Sequence, residues 1–183
     1  MKNGWIAAGL AVAMLASVAA AADAGEKRVA WAEDWVPPNI GWESELAAYR
    51  AYWGQFDFFG KKTTDLILPA LTDSPDYHQE QPWGMDALHV GETGGLGGVV
   101  LYVNGKAFPV WSPEGQGKIA WSKGLVEKSD NAVAVRMTAD NVGPADAPYR
   151  VRFVAGIRAG ERHSRVAVTV TQGDEDAELA LGI

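Results

Sequence analysis

Residues 76–101, DYHQEQPWGMDALHVGETGGLGGVVL, hold the densest run of groups that can move protons or hold a ligand. His78 and His89 stand with Asp76, Glu80, Asp86 and Glu92, beside Tyr77 and Trp83. Histidine can act as acid or base near neutral pH. A carboxylate beside it can orient the ring or bind hydroxyls. Glu80 and Asp86 could instead form the carboxylate pair of a hydrolase, a chemistry that depends on their separation in space. The set His78, Glu80, Asp86 and His89 offers oxygen and nitrogen ligands, but H-x-E…D-x-x-H matches no strong zinc pattern. We therefore expect no metal and no cofactor. No G-x-S-x-G element supports a serine nucleophile. The plainer alternative is a long polar loop with a glycine-rich turn into a strand.

Elements around this stretch must position it. Residues 29–31 read as an edge strand ended by Pro37-Pro38. Residues 42–60, WESELAAYRAYWGQFDFFG, carry both helical spacing and strand-like alternation of aromatics. Gly54 and Gly60 limit a helix, so the reading is strand. Residues 65–71 are a short apolar segment, one helical turn or a short strand. Downstream, residues 98–103 and 106–111 flank Asn104-Gly105, a strong signal for a type I′ hairpin turn. Residues 119–127, 132–138, 149–157 and 164–171 read as further strands, with Val166, Val168 and Val170 on one face. Short strands joined by turns, with little helix, predict an all-β antiparallel sandwich.

Composition narrows the function classes. Residues 1–24 read as a secretory signal peptide: Lys2, an apolar run from Trp5 to Ala22, and small residues fitting an A-x-A cleavage site. A periplasmic or secreted protein follows, with no membrane association after cleavage. Residues 25–183 then form a single domain large enough for a core. The chain of 183 residues has no cysteine, so packing and not disulfides must stabilise it. The net charge is −7 and no basic patch is visible, which argues against nucleic acid. Seven tryptophans lie beyond the signal, and indole faces suit both a core and a sugar ring. The sequence does not set the oligomeric state.

WESELAAYRAYWGQFDFFGK, then DYH, then WGMDALHVG followed by GGLGG, resemble a family of secreted bacterial proteins, domain of unknown function 4861. The resemblance implies a β-sandwich related to galactose-mutarotase-like supersandwiches. It also implies action on uronic-acid-containing oligosaccharides or polysaccharides, with elimination of water from a terminal sugar as the activity of a carbon–oxygen lyase. Family members are usually longer, and residues 178–183 still alternate like a strand, so the expectation is an incomplete version of a longer domain.

Elimination beside a uronic carboxylate needs a base, a group to neutralise the developing enolate, and an acid for the leaving oxygen. His78, His89 and Asp86 are the candidates for catalysis. Arg50 can bind a carboxylate, Tyr49 or Tyr77 can donate to the leaving group, Trp53 and Trp83 can stack on sugar, and Glu80 completes the substrate-binding set. Asp76-Tyr77-His78 and Gly84-Met85-Asp86 flank Pro82-Trp83, so His78 and Asp86 are expected to fold back together. The glycines at 91–98 are expected to let the next strand start beside a bound sugar. A non-catalytic carbohydrate-binding module and a mutarotase-like sugar epimerase are the alternatives.

Overall fold

The structure, a computed structural model, describes residues 28–33, 39–71, 76–88, 90–111, 118–173 and 176–182. The expected signal peptide, Pro37-Pro38 and His89 lie outside these residues. The described chain is all-β apart from one helical turn, α1 (Leu68–Leu71). Every ladder between named strands is antiparallel.

Three sheets build a sandwich-like body. The first runs in spatial order β1 (Val29–Ala32), β2 (Asn39–Ser44), β3 (Ala47–Tyr52), β4 (Gln55–Lys61) and β5 (Gly84–Asp86). The second consists of β8 (Ala120–Lys128), β9 (Ala132–Val142), β10 (Tyr149–Arg158) and β11 (Arg165–Gln172), ordered β11-β10-β9-β8. The third places β6 (Val99–Val103) between β12 (Ala177–Leu181) and β7 (Lys106–Pro109). β2 packs against β9 and β10, which brings the first two sheets face to face.

The alternation expected for residues 149–157 holds. Tyr149, Val151, Phe153 and Ala155 point into the core while Arg150 and Arg152 are exposed. Val99, Leu101 and Val103 of the third sheet join the same core. At its centre Trp42 is fully buried, stacked on Tyr49 and edge-on to Phe56. Its indole N–H donates to Ser164 Oγ at 2.8 Å. Truncating such a side chain costs about 3–5 kcal/mol. Tyr49 and Ser44 donate their hydroxyls to the Arg162 and Glu161 carbonyls, each at 2.6 Å. These bonds fasten the β10–β11 loop onto β2 and β3.

Residues 42–60, read as a single strand region, form three pieces with a tight turn inside. Tyr52 pairs with Gln55, so Trp53-Gly54 is a two-residue hairpin loop, with φ of 43° and 80°. Two successive positive φ values are the mark of a type I′ turn. Asn104-Gly105 makes the expected hairpin in the same way, with φ of 50° and 75°.

Candidate active site

The hairpins of the first sheet sort its side chains onto two faces. Ile40, Trp42, Tyr49, Ala51 and Phe56 face the main core. The opposite face carries two rows set by register. Gly41, Arg50 and Asp57 are successive cross-strand partners, and so are Glu43, Ala48, Phe59 and Asp86. A small second core covers part of this outer face. Ala48, Phe59, Ile67, Leu68 and Leu71 form it, with Tyr77 and Trp83 packed against it.

The segment before β5 folds back as the sequence implied. Gln81 and Gly84 exchange backbone hydrogen bonds at 2.8 and 3.1 Å around Pro82-Trp83. The Asp86 amide then donates to the Tyr77 carbonyl at 2.8 Å. This brings His78 Nδ1 to 3.1 Å from Asp86 Oδ2. Asp86 Oδ1 accepts from the Leu88 amide at 3.0 Å. The two side chains differ sharply in access: the Asp86 carboxylate is 0% exposed and His78 is 43% exposed. The Tyr77 ring lies 4.3 Å from the His78 ring, centroid to centroid, and edge-on to Phe59.

Behind this pair lies a second one. Arg50 Nε donates to Asp57 Oδ2 at 2.7 Å, and Nη2 donates to the same oxygen. The side chains are 11% and 2% exposed. The guanidinium also sits over the faces of Tyr77, Tyr52 and Phe59, at 4.6, 5.1 and 5.5 Å from their centroids. Arg50 is thus committed to Asp57 and an aromatic box, which leaves it a poor bidentate clamp for an incoming carboxylate. Burial opposes its charge, but Asp57 and Tyr77 outweigh burial and hold it firmly protonated. Burial pushes the Asp57 carboxyl up to about 6 despite the Arg50 cation, and the Asp86 charge adds to the rise. Tyr52, which hydrogen-bonds Asp57, is pushed up to about 12 by burial first and the Asp57 charge second, and so stays a neutral donor.

Other candidate residues lie apart from this core of the site. Glu80 pairs with Lys62 on the surface. Trp83 packs edge-on against Phe59 in the small second core. Trp53 occupies the hairpin turn, edge-on to Tyr52. Among the described residues no group of three or more His, Asp or Glu side chains is placed to hold a metal ion.

The glycines at 91–98 have a packing role. Gly95 (φ 65°) bridges the backbone of Phe56, and a Cβ there would fall 2.3 Å from the Phe56 carbonyl oxygen. A Cβ on Gly98 would fall 2.3 Å from Gly94 Cα. Gln55 Nε2 holds the same loop through the Gly91 and Thr93 carbonyls, at 3.0 and 2.6 Å. The run therefore packs at the Phe56 end of β4, while β5 pairs with the Phe59–Lys61 end.

Asp57 and Tyr52 were not among the sequence candidates. Recognising Trp53-Gly54 as the turn would have exposed both, because that register places residue 50 opposite 57 and 52 opposite 55.

Fold and site together define a sandwich-like all-β protein bearing a half-open histidine backed by a buried carboxylate. The model of the family described as Domain of unknown function (DUF4861) matches residues 34–183, and the chain belongs to that family. No curated protein and no solved structure matches it.

Proposed function

We propose that this chain is an exported carbohydrate-active protein that acts on uronic-acid-containing oligosaccharides, with His78 as the proton-transfer group. The observation that supports this most is the His78–Asp86 pair. A buried carboxylate 3.1 Å from Nδ1 can fix the orientation of the ring. In the proposed working tautomer the proton sits on Nδ1, on the side of Asp86, and the basic lone pair on Nε2.

In the elimination reading, His78 removes the proton on the carbon next to the uronic carboxylate. The electrons of that C–H bond form a carbon–carbon double bond as the neighbouring C–O bond breaks. The Tyr77 hydroxyl protonates the departing oxygen, which leaves as water. The proton on His78 then returns to Tyr77 through solvent, so the enzyme is regenerated. Arg50 acts behind Tyr77: it lies over the ring and holds it in place. Asp57 neutralises Arg50 in the resting state.

Incubation of the full chain with a panel of uronic oligosaccharides, read by mass and ultraviolet absorbance, tests this directly. The expected result is loss of one water and a new absorbing double bond. Binding without mass change would favour a carbohydrate-binding module, and anomer interconversion without absorbance would favour a mutarotase-like epimerase. No binding and no conversion across the panel would overturn the proposal.

A further inference from the structure

A groove of about 760 Å³ lies where the β6–β7 hairpin meets the β9–β10 connection. It shares no lining residue with the His78 cluster. Val103, Phe108, Pro144 and Pro148 give it an apolar floor, and Lys106 and Lys118 stand on its rim. Asn104 and Asn141 supply amides. The size and the mix of apolar surface with a few polar groups match small-molecule sites.

Two features make it more than a surface crease. The first is charge. In a chain of net charge −7, none of the described residues that line the groove is acidic. Among the described residues neither lysine forms a salt bridge with a carboxylate. Lys106 Nζ is instead poised 5.2 Å from the centroid of Phe108. The second is backbone. Between the pairs Tyr149–Val142 and Val151–Ala139, two residues of β9 oppose the single residue Arg150 of β10. This bulge holds Asn141 at φ 66°, and bulges commonly re-aim a side chain toward a site. The other bulge residue, Asp140, is paired with Arg150 and does not line the groove.

We infer that this groove binds a carboxylated sugar ring, as a second site independent of the His78 cluster. The apolar face of the ring lies on Phe108 and the prolines, the carboxylate meets Lys106 and Lys118, and the amide of Asn141 meets a hydroxyl. The lysines and apolar residues of the lining are what support an anionic ligand with an apolar face, independently of His78.

The test is an amide-resolved NMR titration of the full chain with a galacturonic acid trisaccharide. Neutral galactose trisaccharide and inorganic phosphate serve as comparison probes. The uronate should shift signals of residues 103–108 and 141–145. Lys106→Ala and Lys118→Ala should each weaken binding about five-fold, and the pair more than ten-fold, as exposed charge contacts do. Raising ionic strength should weaken it in the same direction. His78→Ala should leave these shifts unchanged, so failure here and failure of the proposed turnover are separable. Unmoved groove signals would overturn the inference. So would equal binding of the neutral sugar, binding of phosphate as tight as that of the uronate, or full affinity in the double variant with its fold intact.

Discussion

Two charged clusters share the outer face of the first sheet, at opposite ends of the row Glu43–Ala48–Phe59–Asp86. At one end Glu43 and Lys61 are sealed, both 0% exposed and 3.0 Å apart. Every contact there is structural: Glu43 accepts the Ile67 and Leu68 amides at 2.9 and 2.8 Å, and Lys61 also donates to the Ser44 carbonyl at 2.9 Å. Burial raises the Glu43 carboxyl against the pull of these donors. At the other end, access is graded from sealed Asp86 to half-open His78. The fully buried Phe59 ring stands between the two ends. Charged groups on one face of one sheet therefore carry different meanings. A sealed, multiply bonded pair anchors a loop, and a pair that opens on one side can meet a ligand.

The comparison breaks most visibly at Lys61. Lys61→Met leaves Glu43 buried without its cation and should destabilise the fold by about 3–5 kcal/mol in urea unfolding. Adding Glu43→Gln should recover part of that loss while leaving the Ile67 and Leu68 acceptor in place. A Lys61→Met protein as stable as the parent would remove the distinction between the clusters.

Arg50→Met should cost less, roughly 2 kcal/mol at pH 7, because Asp57 can escape its stranded charge by taking a proton. Asp57 also gives the pH dependence a definite sign. Its folded value, about 6, lies above the ordinary aspartate value of 3.8. Between these values the folded state binds the proton more tightly than the unfolded state. The Asp57 contribution to stability thus rises as pH falls from about 6 to about 4, and is lost as pH rises through about 6. Asp57→Asn should remove that share of the slope in stability measured across the window.

Asp86→Asn keeps an acceptor for the Leu88 amide but removes the charge behind His78. We expect a stability change within about 1 kcal/mol and a turnover loss of about 10²-fold, the low end of what a positioned acid–base group contributes. Normal turnover in a folded Asp86→Asn protein would show that the carboxylate has no positioning role.

What was legible in the sequence follows from local rules. The alternation of residues 149–157 and the Asn104-Gly105 turn depend on neighbours in the chain, and both could be read directly. The approach of His78 to Asp86 was readable because only a short connection around Pro82-Trp83 separates them. The Arg50–Asp57 pair was hidden by Trp53, a bulky residue at positive φ that no turn rule favours. Glu43 and Lys61 resemble solvated strand charges until α1 and its preceding loop are folded over them. The glycines at 91–98 looked like room for a ligand, but contacts with Phe56 and between Gly94 and Gly98, distant in register from His78, consume that room. Long-range closure separates these cases from the readable ones.

The central claim is that His78 is a working group on a scaffold that does not need it. Its most direct test is His78→Ala, with urea unfolding and turnover of a uronic oligosaccharide measured on the same preparation. The account predicts a stability change within about 0.5 kcal/mol and a turnover loss of about 10²–10⁴-fold. Unchanged turnover, or a collapse in stability comparable to that of Lys61→Met, would contradict it.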